Sequence, residues 1–434
     1  MTYTKQTWVN KPTLTTPVNA TRMNHMEDGI NEAVTQYPLT TKTLCCSNGG
    51  QGGQTALYVA GTATTLSAVT NLSFRIPFTL PANADSFYVD ISNYNTGGSA
   101  NGGASLTLDK AVCGQATARS LGDTGPTGNF NGGAATTLAT SGTIPNTGGA
   151  LTLGPFTTDL PQDGVEWLLG IACHGSSQTL QTGIGKAWRW SDTTSAVNPA
   201  TASSGGTVGW VPLDVVIRYT TTNRKKSLLV IGDSIPEGAQ GPSWAVSSAR
   251  TDIVPTPWAD RFWDRWAMRR GDYMVQNHSL YGAFAQTWAS SSYRGWTRLA
   301  TSGGAFDAAI LALGCNDIAN GRTAAQIQAD LISCLTNIRT IVGTTVPVYA
   351  VNFTPYNTYT STMEGIRKTM NQWFSQHPYG IKGVIDLESG SRVTSATATS
   401  TTATAYDTQF TSDGTHPSYE GTSRIVANLM AEMP

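Results

Sequence analysis

Four short segments carry side chains that together could perform acyl transfer. Ser234 follows the apolar run 228–231, and Asn316 follows a second apolar run, 309–313, each typical of a buried strand. Near the C-terminus, Asp413 precedes His416 by three residues. A hydroxyl can attack a carbonyl carbon, an imidazole can take its proton, a carboxylate can fix the imidazole tautomer, and an amide NH₂ can stabilise an oxyanion. The set predicts Ser234 as nucleophile, His416 as base, Asp413 as orienting group and Asn316 as oxyanion donor.

Each residue taken singly has a simpler interpretation. A serine after a strand often caps a helix, and Gly, Asp and Ser are ordinary turn residues. A histidine before a proline is usually structural, but here Asp413 lies one turn away and can hold the ring of His416. Asp317, directly after Asn316, is expected to anchor its loop through backbone hydrogen bonds.

The same segments resemble the blocks of the GDSL, or SGNH, hydrolase family, in the family's order. The matching stretches are Gly232-Asp-Ser-Ile235, Asn277-His-Ser-Leu-Tyr-Gly282, Gly314-Cys-Asn-Asp317 and Asp413-Gly-Thr-His-Pro417. The resemblance implies a serine esterase whose oxyanion hole is made by the backbone N–H groups of Ser234 and Gly282 and the side chain of Asn316. It also implies a three-layer, flavodoxin-like α/β fold with a parallel sheet over 226–434. Neither a cofactor nor a metal is expected.

Composition limits the other functions. The net charge is −1 and only 13% of residues are charged, so no broad attraction to nucleic acid is expected. No apolar run approaches the ~18 residues of a transmembrane helix, so membrane insertion is not predicted. Five scattered histidines and six cysteines without a Cys-x-x-Cys pair argue against a zinc site. The cysteines are expected to be buried apolar residues, although a disulfide among Cys45, Cys46, Cys113 and Cys173 stays open.

The 434 residues predict a multidomain chain. Residues 1–38 are expected to form an N-terminal helical segment, and 39–222 alternate short strand-like runs with Gly-rich turns, which is typical of an all-β, jelly-roll-like sandwich. Residues 226–434 alternate strands and helices, which predicts a parallel sheet. Its strands are expected at 227–231, 273–277, 308–313, 346–353 and 383–387, with the active site at their carboxyl ends.

The N-terminal segment resembles the start of bacteriophage tail and baseplate proteins. The pattern is Trp8, then Pro17-Val-Asn-Ala20, then Asn24-His-Met-Glu-Asp-Gly-Ile30. The resemblance implies a virion part with other tail proteins as partners. A stripe of Met23, Met26, Ile30 and Ala33 at helical spacing could pack against copies of itself, so a homotrimer is predicted; the alternative is a monomer whose first helix docks on its own β domain.

Aromatic residues surround the first two blocks and allow two interpretations. Flat rings can stack on sugars, or they can fill the core; the residues are Trp244, Trp258, Tyr281, Trp288, Tyr293 and Trp296. The leading hypothesis is a virion-associated esterase that removes O-acyl groups, such as acetyl, from a surface polysaccharide. The alternatives are a stand-alone, secreted bacterial carbohydrate or lipolytic esterase and a non-catalytic receptor-binding tail protein.

Overall fold

The computed structural model describes part of the chain. The described residues are 42–47, 65–78, 84–93, 104–117, 128–147, 149–157, 165, 167–181, 186–190, 194–200, 207–210, 213–221, 226–237, 262–270, 273–279, 282–293, 295–296, 299, 306–388, 410–411 and 413–433. The predicted N-terminal helix, with its stripe from Met23 to Ala33, lies outside these residues. Within them, no helix is long and apolar enough to cross a membrane.

The first part of the described chain is built of antiparallel strands. They are β1 (Lys42–Ser47), β2 (Thr65–Phe78), β3 (Ala84–Ser92), β4 (Leu106–Gln115), β5 (Thr136–Ala139), β6 (Gly142–Ile144), β7 (Leu151–Phe156), β8 (Trp167–Gln181), β9 (Lys186–Trp190), β10 (Thr207–Trp210) and β11 (Asp214–Thr221). Short 3₁₀ turns occur at Asn131–Gly133 and Ser195–Val197.

These strands form two sheets among the described residues. One has the order β1-β11-β3-β7, and the other has the order β10-β9-β2-β8-β4-β5, with β6 paired to β4. Alternate residues of both sheets share one apolar core, for example Phe74 of β2, Val89 of β3 and Val215 of β11. The jelly-roll-like form predicted for 39–222, and the domain bounds themselves, stay predictions.

The second part alternates strands and helices. The strands are β12 (Lys226–Gly232), β13 (Tyr273–Asn277), β14 (Ala308–Ala312), β15 (Val348–Val351) and β16 (Gly383–Ile385). The helices are α1 (Ser234–Glu237), α2 (Phe262–Arg270), α3 (Ala285–Ala289), α4 (Cys315–Ala319), α5 (Ala324–Val342), α6 (Ser361–Ser375) and α7 (Tyr419–Glu432), with a 3₁₀ turn at Pro378–Gly380. All five predicted strands are present, with β15 shorter than the predicted 346–353.

The sheet order determines where the helices lie. The strands run parallel in the order β13-β12-β14-β15-β16, which is the flavodoxin-like order. Right-handed crossovers place α2 on one face and α3, α5 and α6 on the other. Contacts agree, since Arg265 of α2 donates to Ser423 of α7 at 3.1 Å and Asn337 of α5 donates to the carbonyl of Trp288 in α3 at 3.2 Å. The predicted parallel sheet is therefore confirmed, with its helices in two layers.

Side-chain caps explain where the long helices begin. The Thr323 hydroxyl accepts from the Gln326 N–H at 3.3 Å, and the Thr360 hydroxyl accepts from the Met363 N–H at 3.3 Å. Ser418 caps α7 in the same way. Each cap satisfies a helix-end donor and typically contributes about 1 kcal/mol. Because Ser418 lies only two residues after His416, this cap also limits the position of the His416 turn.

Four cysteines settle part of the question about disulfides. Cys113, Cys173, Cys315 and Cys334 are free and buried, as expected of small apolar residues. Burial, together with the charge of Asp109, raises the pKa of Cys173 to about 12. The side chains of Cys45 and Cys46 lie outside the described residues, so their state stays a prediction.

A buried ion-pair cluster on α6 gives a prediction about stability. Both nitrogens Nε and Nη2 of Arg367 bind the Glu364 carboxylate, at 2.7 and 2.6 Å, and Nη1 lies 3.1 Å from Glu388. Arg367→Ala leaves buried carboxylates without their cation, so the free energy of unfolding should fall by about 3–5 kcal/mol in urea denaturation. Lys368→Ala is the matched control: Lys368 also contacts Glu364, at 3.6 Å, but is 35% exposed, so its loss should cost about 0–1 kcal/mol. Equal losses would contradict the prediction.

Candidate active site

The carboxyl edge of the parallel sheet brings two of the predicted residues together. β12 ends at Gly232, so Ser234 begins α1, and β14 ends at Ala312, so Asn316 lies in α4. Gly232 and Ala312 are register partners in adjacent strands. Because parallel strands end at the same edge, the two turns that follow them are neighbours.

A tight turn carries Ser234. A Cβ on Gly232 would lie 2.2 Å from the Pro236 ring and 2.8 Å from the Ser279 hydroxyl, so only glycine fits there. Oδ1 of Asp233 accepts the backbone N–H of Ile235 at 3.0 Å, which closes the turn around the serine. Ser234 is only 3% exposed, so its hydroxyl lies at the base of the site rather than on its rim.

The Asp413–His416 turn is held by the carboxylate itself. Oδ1 of Asp413 accepts the backbone N–H groups of Thr415, at 2.9 Å, and His416, at 2.8 Å. Thr411 supports the same turn, because its hydroxyl donates to Oδ1 of Asp413 at 3.3 Å and accepts the Gly414 N–H at 2.9 Å. These bonds leave Oδ2 of Asp413 facing Nδ1 of His416 at 2.7 Å.

The charge of Asp413 follows from these contacts. Burial acts to raise its pKa, but the hydrogen bonds from the His416 ring and backbone, the charge of His416 and the Thr415 N–H outweigh burial. The pKa of Asp413 is therefore held well below its usual range. An ionised Asp413 accepts the Nδ1 proton of His416 and leaves Nε2 as the acceptor.

The serine and the histidine meet directly. Nε2 of His416 lies 2.8 Å from Oγ of Ser234, although the two residues are 182 positions apart. His416 is buried, so little water competes for this contact. The order Ser234, His416, Asp413 allows a proton to pass from the hydroxyl to the imidazole while the carboxylate stabilises the cation that forms. Among the described residues, no cluster of His, Cys, Asp or Glu could hold a metal ion.

The turn after β14 carries Asn316 and contacts the turn after β13. Gly314 has φ +123°, and a Cβ there would lie 2.5 Å from the Phe353 ring. Nδ2 of Asn316 donates to the carbonyl of Ala283 at 3.1 Å. The amide nitrogen carries two hydrogens, so one can hold Ala283 while the other is donated to a substrate oxygen. Gly282, next to Ala283, is exposed and has φ +71°.

Asp317 makes backbone hydrogen bonds, as expected, but it makes them to a neighbouring loop rather than to its own. Its fully buried carboxylate accepts the backbone N–H groups of Ala285, at 2.8 Å, and Gln286, at 3.2 Å. It therefore anchors the neighbouring loop that carries Gly282 as well as belonging to the Asn316 turn. Burial raises the pKa of Asp317, against these two hydrogen bonds and the charge of Arg322. The sequence spacing could not show this bridge, because its partners lie 31 and 32 residues away.

The aromatic residues of this region mostly fill the core. Trp288 and Trp296 are 0% and 4% exposed, and their rings pack edge to face at 4.8 Å. Tyr293 also packs against Trp288, at 4.9 Å. Sugar stacking by Trp288 or Trp296 is therefore wrong. Trp244, Trp258 and Tyr281 lie outside the described residues.

Two further residues support the site and were not predicted. Thr411 precedes Asp413 by two residues, a local spacing that could have indicated its turn. The hydroxyl of Tyr359 donates to the carbonyl of Cys315, next to Asn316, at 2.7 Å. No local signal marks Tyr359, because its partner lies 44 residues away.

The sequence of this part matches a known family. Residues 230–424 match the family model described as GDSL-like Lipase/Acylhydrolase family. This part of the chain is thus a GDSL-type acylhydrolase domain, an enzyme that acts on carboxylic ester bonds. The predicted family is confirmed over these residues. The match does not reach the N-terminal segment, so the phage-tail resemblance stays a prediction. None of the curated proteins matches the chain.

Solved structures with similarity to the chain include esterases of several kinds. A member of the lipolytic protein G-D-S-L family from Veillonella parvula DSM 2008 is 15% identical, with 48% of this chain and 98% of that chain covered and a TM-score of 0.34. A family two carbohydrate esterase from Cellvibrio japonicus is 12% identical, with 91% and 97% covered and a TM-score of 0.35. A carbohydrate esterase family 3 protein from Talaromyces cellulolyticus is 18% identical, with 48% and 96% covered and a TM-score of 0.32. At such TM-scores these likenesses carry no argument about substrate.

Asp233 gives a prediction about pH. Burial, aided by the charge of Asp317 and opposed by the N–H groups of Ile235 and Asp233, raises the pKa of Asp233 from 3.8 to about 7. Between these values the folded state binds a proton that the unfolded state releases, so stability falls as pH rises through this window. Asp233→Asn keeps an acceptor for the Ile235 N–H but does not titrate.

We therefore expect the melting temperature of Asp233→Asn, relative to the native protein, to rise between about pH 5 and about pH 8. Differential scanning fluorimetry of both proteins across this range measures the difference. A difference that stays constant with pH would contradict the shift.

Proposed function

We propose that this protein cleaves its ester through a covalent acyl intermediate on Ser234. The observation that carries the proposal is the continuous hydrogen-bond path from Ser234 through His416 to Asp413, with contacts of 2.8 and 2.7 Å. Oγ of Ser234 attacks the acyl carbon while Nε2 of His416 takes the hydroxyl proton. The oxyanion binds the N–H groups of Ser234 and Gly282 and the amide of Asn316.

The second half of the reaction returns the enzyme to its starting state. The C–O bond to the alcohol breaks, and His416 donates its proton to the leaving oxygen. Water then attacks the acyl-enzyme, His416 takes a proton from it, and the free acid leaves as the proton returns to Ser234. Asp413 stays ionised throughout and stabilises the imidazolium, so the cycle needs no cofactor.

The substrate that we propose is an O-acylated, most simply O-acetylated, surface polysaccharide. Asn357 and Thr358 are exposed beside the acid–base turn, where the Asn357 N–H donates to the Gly414 carbonyl at 2.9 Å. Their uncharged polar side chains suit the hydroxyl groups of a sugar.

The scarcity of exposed apolar side chains among the described residues supports a short acyl group rather than a long one. Among the described residues, the exposed large apolar side chains are Tyr379 and Met430. Tyr379 precedes β16 and so belongs to the amino edge of the sheet. Met430 lies eleven residues into α7, roughly 16 Å from the helix start next to His416. Neither offers a lipid-binding surface beside Ser234, which favours a carbohydrate esterase over the lipolytic alternative.

A comparison of substrates tests this proposal. The purified protein should release acetate from O-acetylated glycans and from a short-chain aryl ester, with far lower kcat/KM for a long-chain ester. Ser234→Ala should abolish all release without changing the melting temperature, because it removes only the nucleophile. Ser292→Ala, an exposed serine in the same part of the chain, is the matched control and should retain full activity.

Three results would contradict the proposal. Substantial hydrolysis by pure Ser234→Ala would overturn the mechanism. A preference for long-chain esters would favour a lipolytic enzyme. Binding to glycan without any ester hydrolysis by the native protein would favour the receptor-binding alternative.

The setting that we propose is a phage tail, with the chain as a homotrimer that contacts other tail proteins. The support is the sequence from Trp8 to Ile30 and the apolar stripe from Met23 to Ala33. Light scattering should give a trimeric mass for the full chain and a monomeric mass for a chain that starts at Thr40, because a short helix needs a partner surface. A monomeric full chain would refute the trimer, and a trimeric shortened chain would show that another region causes it.

A further inference from the structure

The segment Phe353–Tyr359, between β15 and α6, lies against both halves of the site. We call it the bridging segment. At its two ends, the Phe353 ring fills the space beside Gly314, and the Tyr359 hydroxyl donates to the Cys315 carbonyl at 2.7 Å. In its middle, the Asn357 N–H donates to the Gly414 carbonyl at 2.9 Å. The segment therefore contacts the turn that carries the oxyanion donor and the turn that carries the base.

Contact with Gly414 leaves little freedom between the two parts. A Cβ on Gly414 would lie 2.4 Å from Nδ2 and 2.7 Å from Cβ of Asn357, and the φ of Gly414 is +78°. A larger residue at position 414 would push the bridging segment and the Asp413–His416 turn apart. The close approach thus sets the distance between this turn and the segment.

Buried polar side chains of α6 hold the first residue of the bridging segment through its backbone. Nη1 of Arg367 donates to the Phe353 carbonyl at 2.9 Å, and Asn371 binds both the N–H and the carbonyl of Phe353, at 2.7 and 3.1 Å. The rings of Tyr356 and Tyr359 stack at 4.8 Å, and the Tyr359 N–H donates to the Tyr356 carbonyl at 3.0 Å. The Tyr359 ring is therefore held from several sides before it reaches Cys315.

The peptide that Tyr359 contacts is the one that leads into Asn316. The Cys315 carbonyl belongs to the same planar peptide unit as the Asn316 nitrogen. Asn316 is thus held twice: its backbone by Tyr359, and its side chain by the Ala283 carbonyl at 3.1 Å. Burial raises the pKa of Tyr359, so its hydroxyl keeps the proton that it donates.

We propose that Tyr359 is a positioning residue that aims the Asn316 amide at the oxyanion. The inference rests on the proposed function, because it needs Asn316 to act as an oxyanion donor. Tyr359 does not touch the substrate and acts through the Cys315–Asn316 peptide. Oxyanion donors are effective only when their geometry is set before the charge develops, so a small rotation of this peptide lowers the rate.

Tyr359→Phe isolates the hydroxyl from the ring. Phenylalanine preserves the stacked, buried ring but leaves the Cys315 carbonyl without this donor, which allows the peptide to rotate. We expect kcat for a short-chain ester to fall roughly tenfold with little change in KM, because the loss acts on transition-state charge. Tyr349→Phe, on the partly buried Tyr349 of β15, is the matched control and should keep the native kcat.

A double-mutant cycle separates positioning from general support of the fold. Asn316→Ala alone should lower kcat by roughly 10²–10³, and adding Tyr359→Phe to it should cost little more, because the donor that Tyr359 aims is gone. The midpoint of the pH profile of kcat should stay native in Tyr359→Phe, since the Asp413–His416 turn is intact. Melting temperatures of all variants show whether a loss of rate comes from unfolding.

Each other result overturns the inference in an identifiable way. A native kcat in Tyr359→Phe would show that the hydroxyl does not position the donor. Losses that multiply fully in the double variant, or a shifted pH midpoint, would show that Tyr359 acts through another group. If Asn316→Ala keeps the native kcat, the oxyanion role in the proposed function fails, and the role of Tyr359 fails with it. If Asn316→Ala lowers kcat but Tyr359→Phe does not, only the role of Tyr359 fails and the proposed function stands.

Discussion

Nε2 of His416 lies 2.8 Å from Oγ of Ser234, and this contact depends on two turns that are 182 residues apart in the sequence. Ser234 is placed by the end of a central strand, β12, which has partners on both sides. His416 is placed by its own turn, by the cap of α7 and by the bridging segment. A displacement of either turn by about 1 Å would break the hydrogen bond through which the proton passes. The packing of the sheet, which positions Ser234, and the hydrogen bonds of the Asp413–His416 turn must therefore place the two side chains to within about 1 Å of each other's required position.

Two carboxylates lie near the serine, and their surroundings shift their pKa values in opposite directions. Asp413 accepts two backbone N–H groups, a hydroxyl and the His416 ring, which favours its ionised form. Asp233 is buried and accepts from Ile235 and its own backbone, and burial raises its pKa to about 7. Environments that push two pKa values apart assign different tasks to the same side chain. Asp413 suits the charged partner of an imidazole, whereas Asp233 closes the turn around Ser234 by accepting the Ile235 N–H.

The sequence predicted those parts of the site that depend on residues close together in the chain. An apolar run predicts a buried strand, and the end of a parallel strand predicts the position of Ser234 and of Asn316. The spacing of Asp413 and His416 fits one turn, and the structure shows such a turn. The sequence did not predict the role of Tyr359 or the bridge made by Asp317, because both depend on pairs of residues far apart in the chain. It also left the choice between stacking surface and core for Trp288 and Trp296 open, since burial depends on the helices that pack over them.

The Asn316 turn, on the proposed oxyanion side of the site, is held by groups of α6 and of the bridging segment. The bidentate pair of Arg367 with Glu364 is buried, and such a pair contributes little net stability compared with apolar packing. Its effect is instead directional, because it leaves Nη1 of Arg367 aimed at the Phe353 carbonyl. Phe353 in turn packs beside Gly314, one residue before the peptide that Tyr359 holds. A charged cluster that would be a poor choice for stability alone is thus well suited to fixing the direction of a donor several residues away.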